Sequence, residues 1–133
     1  MKILLIILLF LITCKLFAPG MRSLTIMRDE AIKPYTRMIK AIGRVESMNG
    51  KYLFDPKDGS VGWFHIRQIR LTDYDRRTGN HYTLKDCYDY EIAKKICLYY
   101  ISKCDYRDIK SMSIAWNGKS LHNKYYYKIL KQL

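Results

Sequence analysis

The apolar positions of the chain follow the period of an α-helix over most of its length. In residues 31–47, apolar side chains recur at steps of three and four residues: Met38, Ile39, Ile42 and Val45. This spacing predicts an amphipathic helix that Asn49-Gly50 ends. A second helix is predicted after Thr83 and Asp86, which resemble a capping pair, with the same spacing at Tyr90, Ala93, Ile96, Cys97 and Tyr100. Two shorter helices are predicted from Ile109 to Trp116 and from Asn123 to Leu133.

Between the first two helices the pattern changes. Residues 48–62 are rich in turn-forming residues, which predicts loops with a small hairpin: Asn49, Gly50, Asp55, Pro56, Asp58, Gly59 and Gly62. A short helix is predicted to begin at Thr72 and to end at Gly79. Helices therefore outnumber strands, and the sequence predicts a mainly α single domain with a cleft where the glycine-rich loop meets the first helix.

The N-terminal segment has a different character. Residues 3–12 are an unbroken apolar run that follows Lys2 and is closed by Lys15. This is the pattern of a secretory signal, and it is short for a membrane-spanning helix. We therefore expect residues 1–18 to be a signal peptide or membrane anchor, residues 19–30 a tether, and residues 31–133 the folded domain. Cleavage after Ala18, a lipoprotein at Cys14 and an uncleaved anchor all stay open. The expected location is outside the cytoplasm, periplasmic or anchored to the membrane.

Charge and cysteine content narrow the choice of partners. The chain has 24 Lys and Arg against 12 Asp and Glu, which favours an anionic partner. For an exported protein the cell wall fits better than nucleic acid, for which no motif is present. Cys87, Cys97 and Cys104 lack metal-ligand spacing, so we expect neither a metal nor another cofactor. Buried apolar roles are the default for these cysteines, one disulfide stays open, and we expect a monomer.

Glu46 is the first candidate for catalysis. It lies on the last turn of the predicted amphipathic helix, at the border between core and loop. Partial burial disfavours a charged carboxylate and raises its pKa, which suits a general acid at neutral pH. A glutamate at a helix end is otherwise most often a solvated surface residue, so position alone does not decide.

Three further motifs accompany Glu46 in the chain. Glu46-Ser47 is followed by Gly59-Ser60-Val61-Gly62-Trp63-Phe64-His65-Ile66, then by Ala115-Trp116-Asn117-Gly118, and finally by Tyr125-Tyr126-Tyr127-Lys128-Ile129-Leu130. This order resembles the lytic transglycosylase and goose-type lysozyme family, which has an E-S pair, a G-A-x-G-L-M-Q-I loop, an A-Y-N-x-G motif and a Y-x-x-K-V-L helix. The resemblance covers about residues 38–131 and implies a lysozyme-like fold.

The resemblance also implies roles for individual residues. Glu46 matches the catalytic acid of the family, and the matching substrate-binding positions are Ser47, Gly62, His65, Trp116, Asn117 and Tyr125. Gly59 matches another loop position that passes close to the saccharide. His65 replaces the usual Gln, and it is as well explained by a structural role as by a sugar contact. Trp63-Phe64 replaces a Leu-Met pair that packs beneath the loop, and we expect these two residues to pack as well.

The resemblance implies cleavage of the β-1,4 bond between N-acetylmuramic acid (MurNAc) and N-acetylglucosamine (GlcNAc) in peptidoglycan. Members of the family use one glutamate and form a 1,6-anhydro-MurNAc product. Asp55 and Asp58 are the nearest downstream carboxylates, but neither matches a family nucleophile, and both lie in a turn that looks mobile. We therefore expect a lytic transglycosylase acting in bacterial wall remodelling or phage wall opening. A water-using lysozyme and an inactive peptidoglycan-binding module of the same fold are the alternatives.

Overall fold

The first helix carries the candidate acid and buries one face. A computed structural model describes residues 33–118 and 124–133, and residues 34–133 form one compact unit. Helix α1 spans Thr36–Ser47 after a 3-10 turn at Lys33–Tyr35, so it begins later than predicted; residues 31 and 32 lie outside the described residues. Three residues of the predicted apolar stripe, Met38, Ile39 and Ile42, are buried, and the fourth, Val45, is partly buried. Met48 and Asn49 then take left-handed backbone angles, which confirms the predicted end of the helix.

The predicted hairpin is present. Strands β1 (Phe54–Asp55) and β2 (Ser60–Val61) pair antiparallel, with Phe54 opposite Val61. An isolated bridge between Val61 and Ile66 continues the pairing into the next loop. Because the backbones of Val61 and Ile66 are hydrogen-bonded to each other, the residues between them, including His65, are held in a defined turn.

Helix α2 spans Gln68–Thr78, so the predicted start at Thr72 is wrong. Arg67, in the extended conformation, marks the true start. Thr72 instead lies inside the helix, and its hydroxyl accepts a hydrogen bond of 3.3 Å from the Gln68 amide. The predicted end is confirmed, because Gly79 caps the helix in the left-handed conformation.

The Thr83–Asp86 pair forms the predicted contacts but caps a different element. The Asp86 carboxylate accepts hydrogen bonds from the Thr83 backbone N–H and hydroxyl, at 2.7 and 2.8 Å, and a 3-10 turn follows at Asp86–Tyr88. The long helix α3 (Tyr90–Ile101) begins only after Asp89, whose carboxylate caps it. Asp89, three residues after Asp86, is therefore a second capping residue, and it separates the 3-10 turn from α3.

The last two helices complete the mainly helical domain. Helix α4 spans Ile109–Asn117, one residue longer than predicted. Helix α5 spans Lys124–Leu130 and so ends before the predicted Leu133, while residue 123 lies outside the described residues. Helix α3 packs on α4, and α5 packs on both α4 and α1. The core shared by these elements and α2 contains Ile42, Phe64, Ile66, Leu71, Ile96, Cys97, Met112, Trp116 and Ile129.

The cysteines belong to this packing. Cys87, Cys97 and Cys104 are all free, and the first two are fully buried. Burial raises the pKa of the Cys87 thiol to about 11, so it stays protonated at neutral pH.

Within residues 33–118 and 124–133, no group of His, Cys, Asp and Glu side chains could hold a metal ion. No helix in the same ranges is long and apolar enough to cross a membrane; the apolar run 3–12 lies outside them.

Candidate active site

The Glu46 carboxyl is held from two other helices. The hydroxyl of Tyr125, on α5, donates a hydrogen bond of 2.6 Å to Glu46 Oε1. The indole N–H of Trp116, on α4, donates to the same oxygen at 3.3 Å. Packing of α4 and α5 beside the end of α1 therefore brings together three residues that are 70 and 79 positions apart in sequence.

Burial sets the protonation of this carboxyl. Removal from water raises the pKa of Glu46 above its usual value, and the hydrogen bond from Tyr125, the charge of His65, the hydrogen bond from Trp116 and the charge of Lys128 only partly oppose it. The same environment raises the pKa of the Tyr125 hydroxyl, so Tyr125 remains a proton donor. A carboxyl that keeps its proton towards neutral pH can serve as a general acid.

The two contacts also orient the acid. Glu46 Oε1 accepts both hydrogen bonds, so Oε1 acts as the carbonyl oxygen whenever the carboxyl is protonated. Oε2 is then the oxygen that carries the proton. This oxygen faces the imidazole of His65, whose Nδ1 lies 3.8 Å away. The transferable proton is thus placed on the His65 side of the carboxyl.

His65 is fixed by its backbone and by its ring. Its φ of 46° is in the left-handed region, and its backbone N–H donates to the Gly62 carbonyl at 3.2 Å. Ring atom Nε2 lies 2.8 Å from the Tyr52 carbonyl oxygen. Only 12% of the side chain is exposed.

Ser47 lies below the cleft and not in it. It is fully buried, and its hydroxyl donates to the Trp63 carbonyl at 2.8 Å and accepts from the Gly50 backbone N–H at 2.8 Å. These bonds tie the end of α1, which carries Glu46, to the loop that carries His65. The structure therefore gives Ser47 a supporting position beneath the cleft.

Gly62 is likewise a packing position. It is buried, its φ is +78°, and a Cβ at this residue would lie 2.0 Å from the backbone carbonyl oxygen of Cys87. Gly59 lies in the hairpin turn with a φ of +70°, and a Cβ there would meet nothing within 4 Å. The close approach that requires glycine at position 62 is to the protein backbone.

A polar cleft opens beside the Glu46 carboxyl. Its lining consists of Glu46, Asp55, Asp58, Ser60, His65, Arg67, Arg70, Trp116 and Asn117. Four residues that the sequence singled out therefore meet here (Glu46, His65, Trp116 and Asn117), and Tyr125 joins them through its hydrogen bond to the acid. The cleft lies between the hairpin on one side and the ends of α1 and α4 on the other.

The hairpin presents two aspartates to the same cleft. Asp55 accepts a hydrogen bond from the Lys57 backbone N–H at 2.9 Å, and Asp58 accepts one from the Ser60 backbone N–H at 3.0 Å. Hydrogen bonding with Ser60 also lowers the pKa of Asp58, so this carboxyl is ionised at neutral pH. Paired strands and these side-chain bonds hold the turn that carries both aspartates.

Arg70 is a cleft residue that the sequence did not reveal. Its guanidinium lies 4.6 Å from the Tyr100 ring centre and 4.5 Å from that of Trp116. It also donates to the backbone carbonyls of Ala115 and Trp116 at the end of α4. Nothing in the sequence distinguishes it from the other basic residues, since its partners lie 30 and 45 or more positions away.

The aromatic pair of the loop packs as expected. Phe64 is buried against the rings of Tyr90 and Trp116. Trp63 is half-buried, and its ring meets that of Tyr90 edge-on, with 4.9 Å between ring centres. Both residues therefore support the loop from below.

Taken together, the cleft holds a mostly buried carboxyl with a raised pKa, an imidazole, an ionised aspartate and two guanidinium groups within one small polar surface. Such a set can protonate a leaving oxygen and bind hydroxyl or carboxylate groups around it. No family model, no curated protein and no solved structure matches this chain.

Proposed function

We propose that this protein is an exported peptidoglycan lytic transglycosylase of lysozyme-like fold, in which Glu46 is the general acid. The main support for the proposal is the environment of the Glu46 carboxyl. It is mostly buried, with 18% of the side chain exposed, it has a raised pKa, and it is oriented by Tyr125 and Trp116 at the edge of a polar cleft. The order of sequence motifs that resembles this family supplies the substrate class, the glycan strands of peptidoglycan.

The reaction follows from the orientation of the acid. Glu46 Oε2 gives its proton to the glycosidic oxygen as the bond from that oxygen to C1 of MurNAc breaks. The acetamido group of the sugar assists at C1, as in the family that the chain resembles. Glu46, now a carboxylate, takes the proton of the 6-hydroxyl while O6 bonds to C1, which yields the 1,6-anhydro sugar and restores the acid. Tyr125 and Trp116 stabilise the carboxylate between the two steps because both donate to it.

The other cleft residues suit a substrate rich in hydroxyl and carboxylate groups. Arg67 is half-exposed, and its Nε lies 3.9 Å from Asp58. Asn117 is exposed at the end of α4, where its amide can donate to and accept from a sugar. Guanidinium groups bind carboxylates, which the peptide stems of peptidoglycan carry. Attachment to the membrane through residues 1–18 would keep the domain near the wall.

One observation favours a second candidate, hydrolysis. Asp55 and Asp58 line the same cleft as Glu46, and glycosidases that use water need a second carboxylate as base or nucleophile. Mass spectrometry of a peptidoglycan digest separates the two outcomes. A transglycosylase gives fragments that are lighter by one water and have no reducing end, whereas hydrolysis gives ends that borohydride reduces. The proposed outcome is the anhydro product.

The test of the function itself is release of soluble fragments from purified peptidoglycan. Glu46→Gln keeps the shape but removes the proton, and general acid catalysis is typically worth about 10²–10⁴-fold. We expect a loss at or above the upper end of that range. The matched control is Glu91→Gln on α3, whose side chain is 71% exposed and which should keep full activity.

Two results would contradict the proposal. Equal release by the wild type and Glu46→Gln would show that another group is the acid. Binding of the wild type to peptidoglycan without any release would show an inactive wall-binding module.

A further inference from the structure

The tautomer of His65 is determined by its neighbour. Nε2 lies 2.8 Å from the Tyr52 carbonyl oxygen, and a carbonyl oxygen can only accept a hydrogen bond. Nε2 must therefore carry a proton in both the neutral and the charged form of the ring. In neutral His65 the lone pair is then on Nδ1, the atom that faces Glu46 Oε2 at 3.8 Å.

This arrangement places a proton acceptor opposite a proton donor. When Glu46 is protonated, its proton is on Oε2, because Oε1 accepts from Tyr125 and Trp116. Transfer of this proton to His65 breaks the O–H bond and forms an N–H bond on Nδ1, which converts a neutral pair into an ion pair without any other reactant. The distance of 3.8 Å is within ion-pair range, and a movement of about 1 Å would make a hydrogen bond.

We propose that His65 is the proton partner of Glu46, a positioning residue whose cationic form stabilises the Glu46 carboxylate and so lowers the upper pH limit of activity. The inference rests on the proposed role of Glu46 as the acid. It differs from the sugar contact that the sequence suggested for His65, since both ring nitrogens face protein atoms. It also depends on a departure from the family pattern, in which a glutamine that cannot take up a proton stands at this position.

Other groups also act on the pair, and they come from every element packed around it. From α5 these are Tyr125 and Lys128, from α4 Trp116, from α3 Cys97, from α2 Arg70, and from the hairpin Asp58. All of them remain in a variant at position 65. The effect of His65 can therefore be measured as a difference against a constant background.

The sign of the effect follows from the charges. A cationic His65 stabilises the Glu46 carboxylate and so lowers the pKa of that group. Removal of the imidazole should let Glu46 keep its proton to higher pH. An opposite charge within about 4–6 Å typically shifts a carboxyl pKa by about 1–3 units. We expect the alkaline limb of the pH–kcat profile to move upward by about 1 unit in His65→Gln, whose amide can still donate to the Tyr52 carbonyl.

The experiment compares pH profiles of peptidoglycan cleavage for the wild type, His65→Gln and His81→Gln. His81 is exposed and provides the matched control, for which the limb should stay in place. A limb that does not move in His65→Gln would overturn the inference. A raised KM with an unmoved limb would identify His65 as a sugar contact.

A second measurement needs no activity and no variant. The ¹⁵N NMR shifts of the wild-type ring distinguish the two neutral tautomers, and we expect the proton on Nε2. A proton on Nδ1 would overturn the inference even if His65→Gln fails to fold. NMR titration of the Glu46 carboxyl carbon in the wild type and in His65→Gln measures the change in the pKa of Glu46 without any activity assay. If the protein cleaves no peptidoglycan but the pKa of Glu46 differs between the two proteins, the proposed function is wrong and the interaction between Glu46 and His65 is confirmed.

Discussion

The hydroxyl of Tyr125 makes the shorter of the two hydrogen bonds to the proposed acid, and its removal gives a quantitative prediction. Tyr125→Phe keeps the ring and removes only the donor that lies 2.6 Å from Glu46 Oε1. A hydrogen bond to a charged group contributes about 1.5–3 kcal/mol, and the bond length is at the short end for a donor to a carboxylate. The Glu46 carboxylate forms as the proton leaves, so this energy is lost in the transition state.

A loss of about 1.36 kcal/mol corresponds to tenfold in rate. The predicted fall in kcat for Tyr125→Phe is therefore about 10–100-fold. The alkaline limb of the pH–kcat profile should also move upward, because the bond from Tyr125 lowers the pKa of Glu46. Thermal unfolding should change little, by about 1 kcal/mol or less, since the ring keeps its packing and a protonated Glu46 loses only a neutral hydrogen bond.

The assay is release of soluble fragments from purified peptidoglycan over a range of pH. Tyr127→Phe on the same helix is the matched control, because the Tyr127 ring is 59% exposed. Equal activity of Tyr125→Phe and Tyr127→Phe would refute the reasoning, since Tyr125 would then contribute nothing to the acid.

Three further predictions concern stability. Burial raises the pKa of Glu46 above its unfolded value of 4.5, so the free energy of unfolding should fall as the pH rises from 4.5 through the raised pKa. Urea titrations of Glu46→Gln should show a smaller fall over the same pH range. A fall as large as that of the wild type would argue against a buried carboxyl. Gly62→Ala should abolish cooperative unfolding at ordinary temperature, because a Cβ at this position would lie 2.0 Å from the backbone carbonyl oxygen of Cys87. Gly79→Ala is the control: with a φ of +72° and open space around it, it should lower the free energy of unfolding by only about 1–2 kcal/mol. Similar losses for both variants would contradict the packing role of Gly62. Arg70→Lys should lower the free energy of unfolding by about 1–3 kcal/mol, because the variant loses the hydrogen bonds to the Ala115 and Trp116 carbonyls and the stacking on two aromatic rings. An unchanged midpoint of thermal unfolding would show that these contacts contribute little.

Local patterns in the sequence predicted the helices well where a strong terminating signal was present. Asn49 and Gly79 both take the left-handed conformation that ends a helix, and both ends were predicted. Helix starts were less predictable. Thr72 and Thr83 have the chemistry of capping residues, but α2 and α3 begin at other positions, where backbone geometry and Asp89 decide.

The candidate site could be predicted only as far as its residues belong to motifs. The motif order identified Glu46, His65 and Trp116, which the structure brings together. The same motifs could not separate residues that face the cleft from residues beneath it. Ser47 and Gly62 serve the packing of the loop, through the Trp63 carbonyl and the Cys87 backbone respectively.

The remaining cleft residues come from tertiary packing. Arg70 reaches the end of α4 across 45 and more residues, and a contact of this separation has no local signal. Asp58 faces the cleft because β1 and β2 pair and fix the turn. Turn composition predicted the hairpin but not the direction in which its carboxylates point.

The most direct test of the central claim is a crystal structure of Glu46→Gln with a bound peptidoglycan glycan fragment that spans a MurNAc–GlcNAc bond. The substitution prevents turnover while the cleft keeps its shape. The account predicts that the scissile glycosidic oxygen lies within about 3 Å of the side chain at position 46, on the side that faces His65, with the glycan between the hairpin and the end of α4. A glycan bound elsewhere on the domain, with no sugar within hydrogen-bond distance of position 46, would contradict the account.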